Sequence, residues 1–397
     1  MRTIGIVTEY DPFHSGHGEQ IRTLRRTFGP DCAIVCAMSG NWVQRGQAAL
    51  ADKWTRARLA LDGGADLVLE IPTLWAASSA ETFARGGVGV LAATGVVDTL
   101  SFGSEAGDLA PLVQAADCLH TPAWQEALHR WLDRGLSFPA ARQRAVADVA
   151  GEAVAACLDS PNNNLGVEYL LALEALGSEI TPHTIRRRGT GHDQDPEEGA
   201  DHVSASWLRQ RILAEEPAPL VPYLSFQAER TLRRDPASLA YGTRGVLARL
   251  RTMTEADFAR LPDSGEGLSH RLFRAVQETN SLEDLYAQVR AKRYPLARVR
   301  RLVLWAFLGL EAQDRPESLP YLRVLGFTGQ GQEVLRQMKT TATLPILVKP
   351  AHAARLSPEA QKLFALEARC TALYDLCRKE FGHTPGPNEY TEGPIRL

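Results

Sequence analysis

The first hundred residues constrain the fold most, through their rhythm. Four short apolar runs, residues 3–10, 32–38, 66–72 and 97–103, are separated by stretches with helical spacing. In the first such stretch Ile21, Leu24 and Phe28 share a helix face. In the second, Asp52 stands where a helix would be capped, and Trp54, Ala57 and Leu61 point inward. Residues 78–94 read as a third helix. The apolar runs are near-continuous instead of alternating, which marks strands buried on both faces. Strand and helix in that alternation predict an α/β fold, a parallel sheet with helices on both sides. In such sheets the ligand sits at the carboxyl ends of the strands.

Further along, residues 108–176 read as mostly helical, interrupted around Ser160–Asn164, and residues 179–187 as one more strand. Residues 189–202 are polar with an acidic middle and read as a mobile loop. Ser204 caps a short helix to about Leu213, and Pro217, Pro219 and Pro222 mark a linker. Helical periodicity dominates the remainder. Two units are expected, 1–215 and 216–397.

Charge divides at the same place. Residues 216–397 carry 26 Lys/Arg against 20 Asp/Glu, and residues 1–215 carry 18 against 27. A basic half hints at a polyanionic partner; an ordinary solvated surface is the alternative. No apolar run is long enough to span a bilayer, and the short run Ile4–Val7 is followed at once by Glu9 and Asp11, unlike a signal peptide. The expectation is a cytoplasmic protein without membrane contact. The six cysteines form no CxxC pair. Cys32 and Cys36 would share one face of a strand, so buried free thiols in a reducing compartment are expected, not a metal site.

The segment Glu9-Tyr10-Asp11-Pro12-Phe13-His14-Ser15-Gly16-His17 joins the first strand to the first helix. A helix N-terminus there offers N–H groups and a positive dipole end to an anion. Gly16 lets backbone approach a ligand. His14 and His17, three residues apart, can both donate to one phosphate and stabilise charge that grows as pyrophosphate leaves. Two unrelated histidines beside a turn would be the alternative; the position after the first strand argues against it.

This turn resembles the HxGH signature of the nucleotidyltransferase superfamily, whose Rossmann-like domain is shared with class I aminoacyl-tRNA synthetases. Ser204-Ala205-Ser206-Trp207-Leu208-Arg209 lies where that superfamily carries a second signature, with Arg209 in reach of the β- and γ-phosphates. Longer stretches narrow the resemblance. Met38-Ser-Gly-Asn-Trp-Val-Gln-Arg-Gly46, Ser101-Phe-Gly-Ser-Glu105, Ser160-Pro-Asn-Asn-Asn-Leu-Gly-Val-Glu-Tyr169, Lys292-Arg-Tyr294 and Pro320-Tyr-Leu-Arg-Val-Leu-Gly-Phe327 are similar to the tRNA(Met) cytidine acetate ligase family. The likeness runs over about residues 1–350. It departs at Asp11 and Ser15, each where the family usually has Asn, and at Trp42 where Phe is typical.

The resemblance implies a Rossmann-like nucleotidyltransferase domain (1–215) with a helical insert, and a mostly helical, basic, tRNA-binding region (216–397). It implies a two-step reaction. Acetate attacks the α-phosphate of ATP to give acetyl-adenylate, and the exocyclic amine of the wobble cytidine of elongator tRNA(Met) then takes the acetyl group. Neither step demands a protein nucleophile, so the work is positioning and charge stabilisation. His14 and His17 are the expected catalytic phosphate ligands. The nucleotide would be wrapped by Val7, Thr8, Glu9, Tyr10, Asp11, Pro12, Phe13, His14, Ser15, Gly16, His17, Gly18, Glu19 and Gln20. Gly103 would admit adenosine, although a plain turn glycine fits as well. Asn162 and Asn163 would bond ATP or the base, or else make a turn and helix cap. Arg187 and Arg188 match a basic pair near the nucleotide, Ser204 and Arg209 complete the set, and Mg²⁺ is expected to travel with ATP, since no acidic ligand set stands out.

For tRNA the expected contacts are Gln44, Arg45 and Lys53 on the ligand side of the sheet, and the basic patch Arg290, Lys292, Arg293, Arg298, Arg300 and Arg301, with Tyr294 interleaved for stacking. Two other readings share the HxGH turn: an adenylyltransferase for a small metabolite, and a non-catalytic RNA-binding protein on a relic nucleotide fold.

Overall fold

A computed structural model describes residues 1–187, 203–380 and 386–397. Arg188 and the 189–202 loop therefore lie outside the described residues.

The apolar runs become strands β1 (Thr3–Thr8) and β2 (Ala33–Ser39), then, beyond a two-stranded hairpin of β3 (Trp42–Val43) and β4 (Gln47–Ala48), β5 (Leu67–Ile71), β6 (Thr99–Ser104) and β7 (Thr181–Arg186). These five sheet strands are parallel in the order β5-β2-β1-β6-β7. In β2, Ala33, Val35 and Ala37 face one apolar layer, and Ile34, Cys36 and Met38 face the other. That two-sided burial is why the strand shows no polar alternation. Helix α1 (Ser15–Phe28) seals the second layer with Ile21 and Leu24. Helix α2 (Lys53–Asp62) starts where Asp52 accepts the Thr55 N–H at 2.9 Å. All six cysteines are buried and free.

Residues past 216 do not stay helical. Three strands, β8 (Leu322–Phe327), β9 (Ile346–Leu347) and β10 (Ile395–Arg396), extend the same sheet to eight, with β8 antiparallel to β5. The six-residue run Leu322–Phe327 is too short to bury an amphipathic helix face, and pairing with β5 satisfies its backbone instead. The helix Leu296–Leu308 docks Trp305 on the first half, its indole N–H donating to the Ala77 carbonyl at 2.7 Å. Trp42 and Tyr374 tie the halves in the same way, through the Cys370 and Ala49 carbonyls at 3.2 and 2.8 Å. Residues from both sides of position 215–216 join one apolar cluster that runs from Val7 to Cys377. Among the described residues no helix is long and apolar enough to cross a membrane.

The seam between the halves holds a buried charge cluster. Lys53 Nζ lies 2.7 and 2.8 Å from the two Glu70 carboxylate oxygens and pairs with Glu389, which also takes Arg323 Nε at 3.2 Å. Glu367 accepts the Thr73 N–H and hydroxyl, both at 2.7 Å. Burial, reinforced by the Glu70 charge, pushes the Glu367 carboxyl up to about 8. The folded chain therefore holds this proton more tightly than the unfolded chain. The stability it contributes is full in acid and is lost as pH rises through about 8. Glu367→Gln, neutral at every pH, is expected to melt like the parent in acid, below the ordinary carboxylate range, and to outlast it increasingly as pH rises through neutrality to about 8. Identical alkaline melting of the two proteins would contradict this.

Candidate active site

In the order β5-β2-β1-β6-β7 the chain direction of winding reverses at β1, so the crevice outside the carboxyl ends of β1 and β6 is the natural ligand site. The turn that leaves β1 is built tightly. Tyr10 adopts φ +46° and buries its ring, with its hydroxyl 3.6 Å from Cys36 Sγ. Such a conformation in a bulky residue is held only where packing enforces it. The Tyr10 ring sits edge-on to Phe13 and His17 and backs the histidine pair.

The two histidines define each other's protonation. His14 is the N-cap of α1 and its Nδ1 accepts the Gly16 N–H at 3.1 Å; His17 Nδ1 accepts the His14 N–H at 3.3 Å. The rings lie 3.8 Å apart, centre to centre. With both Nδ1 atoms accepting, a neutral ring carries its proton on Nε2, leaving that N–H as the donor. Burial holds His17 well below the usual imidazole range, and the neighbouring His14 and Arg187 push it the same way. His17 is therefore a neutral donor at physiological pH. The backbone contributes less than the sequence suggests. The Ser15 N–H is taken by the Tyr223 carbonyl at 2.8 Å and the Gly16 N–H by His14, so these two amides are already occupied.

Asp11 touches protein through both oxygens. Oδ1 accepts the Leu50 N–H at 2.6 Å, and Oδ2 takes Arg209 Nη1 at 2.6 Å. Arg209 is thereby engaged by the turn and by the Ala48 carbonyl instead of reaching free into the crevice. Ser204 uses its hydroxyl to cap the helix Ala205–Leu213, accepting the Trp207 N–H at 3.2 Å.

Gly103 lies at the crevice edge, and a Cβ there would sit 2.9 Å from Arg187 Cγ. The glycine thus makes room for the Arg187 side chain, whose charge reaches His17. Asn163 takes part in the turn and helix cap that the sequence allowed as the alternative. Its Oδ1 accepts the Glu105 and Ala106 N–H groups at 2.9 and 3.1 Å, and Glu105 in return caps the helix Pro161–Ala175 through the Asn163 N–H and the Asn162 side chain. Both asparagines shape the loop after β6. Glu19 turns outward to Arg22 and Arg26, and Val7 is core.

Of the expected tRNA contacts, Lys53 is a correction: it is fully buried in the charge cluster and cannot meet RNA. Tyr294 is another. Its ring is buried and its hydroxyl donates to the Glu266 carbonyl, so it is not a free stacking surface. Arg298 is pinned by the Asp263 carbonyl and Glu266 carboxylate at 3.0 and 2.9 Å. Arg290, Lys292 and Arg293 are exposed. The hairpin tip links this patch to the crevice. Gln44 donates its N–H to Glu9 Oε1 at 2.7 Å, while Gly46, at φ +72°, abuts the backbone of Arg300 and Arg301 so closely that a Cβ would lie 2.5 Å from Arg301 N.

Sequence reading missed Arg56. This buried guanidinium donates to the carbonyls of Glu9, Ser39, Gly40 and Ala51, stitching together the loops that leave β1 and β2. Nothing local marks it, since a helix arginine reads as solvent-facing. Among the described residues no group of three or more His, Cys, Asp or Glu is placed to hold a metal ion.

The family model HIGH Nucleotidyl Transferase matches residues 1–386. A tRNA(Met) cytidine acetate ligase of Alkaliphilus metalliredigens is 33% identical over 99% of this chain and 98% of its own; one of Fervidobacterium nodosum is 36% identical over 92% and 88%. The chain belongs to the tRNA(Met) cytidine acetate ligase family. A solved family structure, Thermotoga maritima TmcAL without ligand, superposes with a TM-score of 0.94 at 31% identity over the whole of both chains. The same ligase bound with alpha-thio ATP superposes at 0.92. The family match spans both halves of the chain, as does its largest apolar cluster.

Proposed function

We propose that this protein activates acetate with ATP and transfers the acetyl group to the exocyclic amine of the wobble cytidine of elongator tRNA(Met), giving N4-acetylcytidine, AMP and pyrophosphate. The observation that carries this reading is full-length similarity to ligases of that name, over a fold that places two Nε2 donors at the switch point of the sheet. His14 and His17 bind phosphate oxygens, and their hydrogen bonds strengthen as pyrophosphate departs. Arg187 adds positive charge on the β6 side. Asp11, Arg209 and Arg56 hold the turn in place. Acetate itself supplies the first nucleophile and the base amine the second, so the crevice needs no reactive Ser or Cys.

RNA binding is assigned to the surface that begins at the hairpin tip and continues over Arg290, Lys292 and Arg293. A cytidine in a folded anticodon loop must be splayed out to react, and a grip on neighbouring phosphates permits that. Replacing those three residues by Glu is expected to weaken tRNA binding and to lower the slope of log affinity against log salt by about two. An unchanged slope would remove them from the interface. A metabolite adenylyltransferase would have no use for this continuity between crevice and patch.

The test is direct. Purified protein, ATP, labelled acetate and tRNA are incubated, and the nucleosides are weighed. Labelled acetylcytidine that requires ATP supports the reading. Unmodified tRNA alongside an adenylylated metabolite would replace it with the metabolite reading.

A further inference from the structure

Glu9 stands where the crevice meets the RNA-facing hairpin. Its Oε1 is fixed by the Gln44 N–H at 2.7 Å, and its Oε2 has no hydrogen-bond partner among the described residues. The other carboxylate of this turn, Asp11, has both oxygens occupied. The charged and titratable groups that face Glu9 are Asp11 of its own turn, Arg45 of the hairpin, Arg209 of the late helix and Tyr169 of the Pro161–Ala175 helix. The phosphate-binding turn thus holds one carboxylate oxygen ready, on the side from which the hairpin and the basic patch would present a base.

We propose that Glu9 recognises and deprotonates the attacking cytidine amine. This rests on the ligase reading above. A carboxylate is the natural acceptor for the cytosine N4 amino group. That amine is a poor nucleophile while its lone pair is delocalised into the ring, so a base that takes its proton during attack accelerates transfer. The N4–carbon bond forms at the acetyl carbonyl, the bond from that carbon to the adenylate phosphate oxygen breaks, and AMP leaves with the electron pair. The proton passes from N4 to Glu9 Oε2 and then to water. Burial raises Glu9 above the ordinary carboxylate value, with the Asp11 charge adding to it against the Gln44 hydrogen bond, which suits a proton acceptor working near neutrality.

The test bypasses activation by supplying chemically made acetyl-adenylate together with tRNA. Glu9→Gln preserves size and can still accept the Gln44 N–H. The expected result is a fall of about 10²- to 10³-fold in single-turnover transfer. In the parent, transfer should decline as pH falls through the Glu9 ionisation, and that limb should be absent from Glu9→Gln. Glu9→Asp, which keeps the carboxylate but withdraws it, should retain the limb with a partial rate. If Glu9→Gln transfers at the parental rate, or keeps the acid limb, the proposal is overturned. If Glu9→Gln fails to fold, as read by melting, loss of the acid limb in Glu9→Asp overturns it equally. Failure of the parent itself to acetylate tRNA from acetyl-adenylate would instead strike the ligase reading, and no variant is needed to see it.

Discussion

His14→Asn and His17→Asn are each expected to lose acetate-dependent ATP–pyrophosphate exchange by about 10²- to 10³-fold, the usual consequence of deleting one preorganised donor to developing charge. The choice of Asn separates two roles. His14 caps α1 through Nδ1 and is assigned to the ligand through Nε2. Asparagine is a good N-cap, so His14→Asn keeps the helix start and removes only the outer donor. His14→Ala should lose as much activity and in addition about 1 kcal/mol of stability. Exchange that survives in the Asn variant but not in the Ala variant would reduce His14 to a cap.

Lys53→Met is expected to cost about 3–5 kcal/mol in urea denaturation, because it leaves Glu70 and Glu389 buried without their shared cation. Against a total stability of about 5–15 kcal/mol that is a large share. Despite burial, the charges of Glu389 and Glu70 keep Lys53 protonated. The loss should be smaller in Lys53→Met combined with Glu70→Gln, since one stranded charge is then gone. A Lys53→Met protein with parental stability but impaired tRNA acetylation would restore Lys53 to the RNA surface and contradict its place in the cluster.

The difference between the histidines and Lys53 shows what the sequence could reveal. The histidine site is local: a strand end, a capping residue, a glycine and a second ring lie within nine residues of Glu9, and their order already implies their geometry. The five parallel strands were legible for a similar reason, because continuous apolar runs of strand length can be buried only between two helical layers. Lys53 is the opposite case. A lysine at the first turn of a helix reads as surface, and its burial depends on Glu389, which arrives from the far end of the chain. Arg56 was missed on the same ground, since its partners, the loop carbonyls after β1 and β2, are brought near only by the sheet. Strand β8 hid among helices because six residues carry too little pattern to outweigh their flanks, and its place is set by pairing with β5.

A crystal structure with a nonhydrolysable ATP analogue and acetate tests the central claim most directly. The account predicts the phosphates within hydrogen-bond reach of His14 Nε2 and His17 Nε2, and acetate in line with the α-phosphorus. A nucleotide bound elsewhere, with the two imidazoles touching no phosphate, would contradict it.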